Sequence, residues 1–94
     1  MNKFVHSETL TYYGDNFKVW MTKSGDRDHW CLYSQVGHGH LFSCTKLTAL
    51  QFGNGVTHYK VVDDGVVNGW DYAGLDHTFS EVMEDAKALI EYLQ

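Results

Sequence analysis

Apolar residues near the end of the chain fall at Phe79, Val82, Met83, Ala86, Leu89, Ile90 and Leu93. This i, i+3, i+4, i+7 spacing turns one stripe of a helix toward a core, and it predicts a single amphipathic helix over Thr78 to Gln94. Thr78 is placed to cap the first-turn amides, and Glu81, three residues on, to reach back to the Thr78 amide. At a rise of about 1.5 Å per residue the helix would be about 25 Å long, enough to cross a small sheet. Its polar face carries Glu81, Glu84, Asp85, Lys87, Glu91, Tyr92 and Gln94. Glu81 and Asp85 are a like-signed i, i+4 pair, and Lys87 alone can offset Glu84 or Glu91.

Upstream the period changes. Runs rich in Val, Tyr, Phe, Trp and Thr cover Glu8 to Tyr13, Phe17 to Lys23, His29 to Val36, His40 to Phe52, Val56 to Val62 and Val66 to Tyr72, a strand signal. The punctuation is Gly14-Asp15-Asn16, Ser24-Gly25-Asp26, Gly37-His38-Gly39, Gly53-Asn54-Gly55 and Asp63-Asp64-Gly65, which supplies turn residues for tight hairpins. The expected fold is α+β: an antiparallel β-meander of five or six strands within about residues 8 to 72, with one C-terminal amphipathic helix, about 78 to 94, packed on one face.

Two stretches admit alternatives. Thr45 to Phe52 reads as strand or as a short helical turn, with strand preferred. Asp64-Gly65 and Asn68-Gly69 are too close to be two ordinary hairpin tips, so one is read as a bulge within the last strand. Phe17, Val19 and Met21, with Trp30, Leu32 and Val36, are expected to meet the helix. Lys18, Trp20, Thr22, Cys31, Tyr33 and Gln35 are then left on the outer face of the sheet, where large aromatics often mark a contact surface.

Ninety-four residues with 44% hydrophobic content and no low-complexity stretch suit one globular domain spanning residues 1 to 94. Met1 to Leu10 lacks the apolar region of a signal peptide, and no window approaches the roughly 20 apolar residues of a membrane span, so a cytoplasmic protein without a membrane partner is expected. Cys31 and Cys44 are read as reduced thiols. With no proline in the chain, sheet edges must be managed by charge, twist or a partner.

Charge is divided unevenly. Residues 1 to 60 hold four acidic and six basic side chains, and residues 61 to 94 hold eight acidic and one basic. Asp63, Asp64, Asp71, Asp76, Glu81, Glu84, Asp85 and Glu91 therefore make an acidic final third, which attracts basic surfaces and repels nucleic acid.

Specific chemistry is weakly signed. His29 and Cys31 share a face at strand spacing, but no third orienting group or oxyanion turn accompanies them, so no catalytic residue is assigned. His38, His40 and Cys44 can be drawn as metal ligands, yet neither a fourth ligand nor CxxC spacing supports them, and no metal or cofactor is expected. Gly53-Asn54-Gly55 joins strands and does not open a helix, unlike a phosphate loop. Tyr12, Tyr13, Trp20 and Trp30 with Lys18, Lys23, Arg27 and Lys46 are candidates for a small stacking surface on the mildly basic part, and the acidic balance argues against direct nucleic-acid binding.

The expected function is a small, non-enzymatic protein-binding module, an inhibitor or antagonist docking its acidic third on a basic surface of a larger partner, such as a nucleic-acid-binding protein. Its size and charge are similar to those of immunity proteins and phage-encoded antagonists of the anti-restriction or anti-CRISPR type, an analogy of size and charge. The alternatives are a structural adaptor or homo-oligomeric module, and a metal-binding or small Cys/His enzyme; monomer and homodimer are both open.

Overall fold

The capping box closes as its residues require. In the computed structural model, which describes residues 9–23, 29–40, 47, 50–74 and 78–94, Glu81 N donates to Thr78 Oγ1 at 3.2 Å and Thr78 N donates to Glu81 Oε1 at 2.8 Å. They start α1 (Phe79–Leu93). Its far end is held from outside: the Nε2 of His40 donates to the carbonyl of Leu93 at 2.9 Å, and the side-chain amide of Gln94 donates to the Tyr12 hydroxyl at 3.1 Å. The first of these satisfies a terminal carbonyl that a helix end otherwise leaves to water.

Among the described residues five strands precede it: β1 (Thr9–Gly14), β2 (Phe17–Thr22), β3 (Cys31–Val36), β4 (Val56–Val62) and β5 (Gly65–Asp71). They form one antiparallel sheet in the order β1-β2-β3-β5-β4. The hairpin between β1 and β2 turns through Asp15 and Asn16, where Asn16 takes a φ of 64°, a conformation that asparagine tolerates better than most residues. The one departure from sequential order is β5, which lies between β3 and β4.

Register sorts the side chains by face. Met21, Leu32, Trp70 and Val56 lie opposite one another across four strands, and so do Phe17, Val36 and Val66 across three. This face packs on Val82, Ala86, Leu89, Ile90 and Leu93 of α1, so sheet and helix share one core. Met83 is partly buried against it, and Phe79 is 44% exposed but meets Trp30 with ring centroids 5.5 Å apart. The predicted meeting of Phe17, Val19, Met21, Leu32 and Val36 with the helix stripe is what forms.

Two sequence expectations need correction. Of the run His40 to Phe52, positions 41–46 and 48–49 lie outside the described residues, and the described positions are not strand; Leu50 N donates to Leu47 O at 3.2 Å. Leu47 and Leu50 turn inward because Asn68 Oδ1 accepts from Leu47 N at 3.3 Å and Trp70 Nε1 donates to Leu50 O at 2.9 Å. The expected bulge is displaced too. Gly69 stays in register, and the irregularity lies on β4, between Val56 and His58.

At the centre of the core-facing side, Ser34 and Asn68 are register partners and fully buried; among the described residues Ser34 Oγ and Asn68 Nδ2 have no hydrogen-bond partner. Asn68 spends its carbonyl oxygen on Leu47, which explains its presence in an apolar layer.

Candidate functional site

The eight acidic residues do not converge on one surface. Asp63 and Asp64 form the tip of the β4–β5 turn and Asp71 ends β5, so seven strand residues, roughly 20 Å, separate them. Asp71 is committed locally: its Oδ1 accepts from Asn54 Nδ2 at 3.0 Å and from the amide of Ala73 at 2.9 Å. Asp76 lies outside the described residues. Glu81 serves the cap.

Asp85 was expected on the outer face and instead sits half-buried, accepting the Tyr72 hydroxyl at 2.7 Å on Oδ2. The i, i+3, i+7 relation of Val82, Asp85 and Leu89 puts this carboxylate on the flank of the buried stripe, a signal present in the sequence. Burial, followed by the hydrogen bond and charge of Asp85, holds the Tyr72 hydroxyl well above the ordinary phenol range. The folded chain therefore keeps a proton that the unfolded chain releases near pH 10, so this contribution to stability is complete below about pH 10 and is lost as pH rises beyond it. Tyr72→Phe is expected to cost about 1 to 2 kcal/mol at neutral pH, because Asp85 loses its donor. It should also flatten the alkaline fall in stability when urea midpoints of the two proteins are compared between pH 8 and about pH 11; equal alkaline slopes would rule out this pair as the source.

What remains outward on α1 is narrower than the whole acidic third. Glu81, Glu84, Lys87, Ala88, Glu91 and Tyr92 are exposed, and the Lys87 ammonium stands 3.6 Å from Glu84. Glu91 occupies the last turn, which contains no basic residue, whereas the helix dipole favours a cation there. The Gly37–His40 turn ties this end of the helix to the acidic turn tip, because His38 Nε2 donates to the Asp63 carbonyl at 2.8 Å while His40 holds Leu93.

The opposite face of the sheet carries Lys18, Trp20, Thr22, Cys31, Tyr33 and Gln35, as their alternation requires. Trp20 and Tyr33 stack at 5.3 Å with planes 19° apart, the His58 ring meets Tyr33 edge-on at 6.0 Å, and the Lys18 ammonium lies 5.2 Å from the Trp20 ring centre. Gly69 makes this row possible, since a Cβ there would stand 2.7 Å from the Tyr33 ring. The rings thus cover one another. Tyr12 and Trp30 pack against the core on the helix side, away from Trp20, so the four aromatics of the stacking set do not share a surface; Arg27 and Lys46 lie outside the described residues.

The metal and Cys/His constellations separate. His38 and His40 bind different carbonyls, as above, and Cys44 lies outside the described residues; among the described residues no group of three or more His, Cys, Asp or Glu side chains is gathered as metal ligands would be. Cys31 is a buried free thiol. Among the described residues, no helix is long and apolar enough to cross a membrane. These features define a small α+β protein with one helix on a five-stranded antiparallel sheet, whose polar display is split between an acidic helix face and an aromatic sheet face. Compared with protein-family models, curated proteins and solved structures, the chain matches none.

Proposed function

We propose that the protein is a non-catalytic binding module that docks the outward face of α1 on a basic surface of a larger protein partner, acting as an inhibitor or antagonist. The observation that carries this reading is charge placed against the helix's own interest. Glu84 and Glu91 are exposed, one lysine accompanies them, and the last turn is acidic. A face serving helix stability alone would put a cation in that turn. Tyr92, 46% exposed beside Glu91, offers the aromatic anchor that protein interfaces concentrate. Asp63 and Asp64 extend the acidic field at the same end, while Asp71, Glu81 and Asp85 hold the fold.

Glu84→Lys with Glu91→Lys tests the proposal in a pull-down from the native host read by crosslinking mass spectrometry. Both side chains are exposed, and a lysine at position 91 suits the helix dipole, so the fold should stand. Capture at low salt is expected to disappear, with crosslinks of the unaltered protein mapping to α1. Unchanged capture, or capture lost instead on Trp20→Ala, would move the docking surface off the helix.

A further inference from the structure

The two edges of the sheet are built differently. β4 is guarded in the ways that natural edges usually are: its register is broken between Val56 and His58, and Lys60 stands in its middle, features that bend a strand and charge it against pairing. β1 has neither. It reads Thr-Leu-Thr-Tyr-Tyr-Gly, without charge or proline, and it keeps unbroken register with β2 from Thr9↔Thr22 to Gly14↔Phe17. It ends the sheet, and no described strand pairs with its outer side. Tyr13, on the open face of this strand, is 53% exposed.

We infer that the occupant of this edge is the β1 strand of a second copy of the chain, paired antiparallel about a two-fold axis to give a continuous ten-stranded sheet. A strand edge is complementary to its own two-fold mate in backbone donors and acceptors, so the contact is isologous, and it closes at two copies because the other edge of each sheet is guarded. An axis normal to the sheet sets residues of the same face opposite one another, Thr11 against Thr11 or Tyr12 against Tyr12. Both helices then lie on one side and both aromatic rows on the other. The uncharged edge matters because each copy carries a net charge of -5: two such chains repel at a distance and meet where neither bears charge. This goes beyond the docking reading and does not depend on it.

Sedimentation of the full chain, unaltered and as Thr11→Lys and Tyr13→Lys, tests the inference. Thr11 is half-buried and Tyr13 exposed, both on the open face, so lysine is tolerated there while placing like charges across the two-fold axis. The unaltered chain is expected to be dimeric, with association strengthened by salt as repulsion is screened, and each variant is expected to dissociate about tenfold more readily or further. Circular dichroism confirms that the variants fold. A monomeric unaltered chain, a dimer indifferent to both lysines, or a dimer weakened by salt would each overturn the inference. Salt also separates the two proposals, because docking on a basic partner weakens with it; loss of capture in the Glu84 and Glu91 variant leaves the dimer intact.

Discussion

Replacing Trp70 with alanine is expected to cost about 3 to 5 kcal/mol, the range for removing a large aromatic from a core. Trp70 is fully buried, lies opposite Leu32 and Val56 in register, and meets Phe52 edge-on with centroids 5.5 Å apart. Its indole N–H also donates to the carbonyl of Leu50 at 2.9 Å, so one side chain packs the layer beneath the helix and pins the segment that reaches over it. A domain of this size commonly has 5 to 15 kcal/mol of stability, of which the loss is a large part. Urea unfolding followed by far-UV circular dichroism measures it. The midpoint should fall sharply with little change in slope, and a loss below about 1 kcal/mol would mean that the core closes without Trp70. Trp70→Phe separates the two roles, because it keeps most of the packing and gives up the bond to Leu50.

Gly65→Ala is expected to be comparably severe, by a different route. Gly65 closes the β4–β5 hairpin opposite Val62 with a φ of 149°. A Cβ there would run into the carbonyl oxygen of Val36, with the Val36 carbonyl carbon at 2.8 Å and Gly37 Cα at 3.0 Å. All of these are backbone atoms, so no side chain can swing aside. The substitution must part β5 from the end of β3 or distort the turn, at a cost of about 3 kcal/mol or more. Gly74→Ala is the matched control: its φ is 76° but among the described residues nothing lies within 4 Å of the added carbon, so it should cost about 1 to 2 kcal/mol of backbone strain alone. If the two alanines prove equally costly, the close approach of Val36 is not what demands glycine at position 65.

Local features of the fold were legible from the residue order. Thr78 and Glu81 start the helix through contacts three residues apart, and the turns at Asp15-Asn16 and Asp63-Asp64 join strands that pair with their immediate neighbours. The conformation around Leu47 and Leu50 was not, because it is drawn in by Asn68 and Trp70, about twenty residues away. The position of β5 is likewise decided by the strand faces it joins. The acidic third showed the limit for the site. Linear clustering carries no information about direction, and a strand placed between Asp64 and Asp71 sends them to opposite ends, while the helical period turns Asp85 toward Tyr72. The uneven management of the two edges was half visible, since the lack of proline and the uncharged run at β1 can be read from sequence, whereas only the topology identifies β1 and β4 as the outer strands.

The insertion of β5 between β3 and β4 also dictates an order of assembly. β1, β2 and β3 can zip as consecutive neighbours, but β3 and β5 join residues separated by 30 positions at Val36↔Val66 and by 40 at Cys31↔Asp71. Loop closure over that distance comes late and slows folding. Among the described strands β4 reaches the sheet solely through β5, so the β4–β5 hairpin must dock as a preformed unit. During synthesis the three-stranded half therefore emerges with β3 unpaired on one side and its core face uncovered, because the strand that seals the edge and the helix that covers the face follow it along the chain. The nascent chain is most prone to aggregation in that interval.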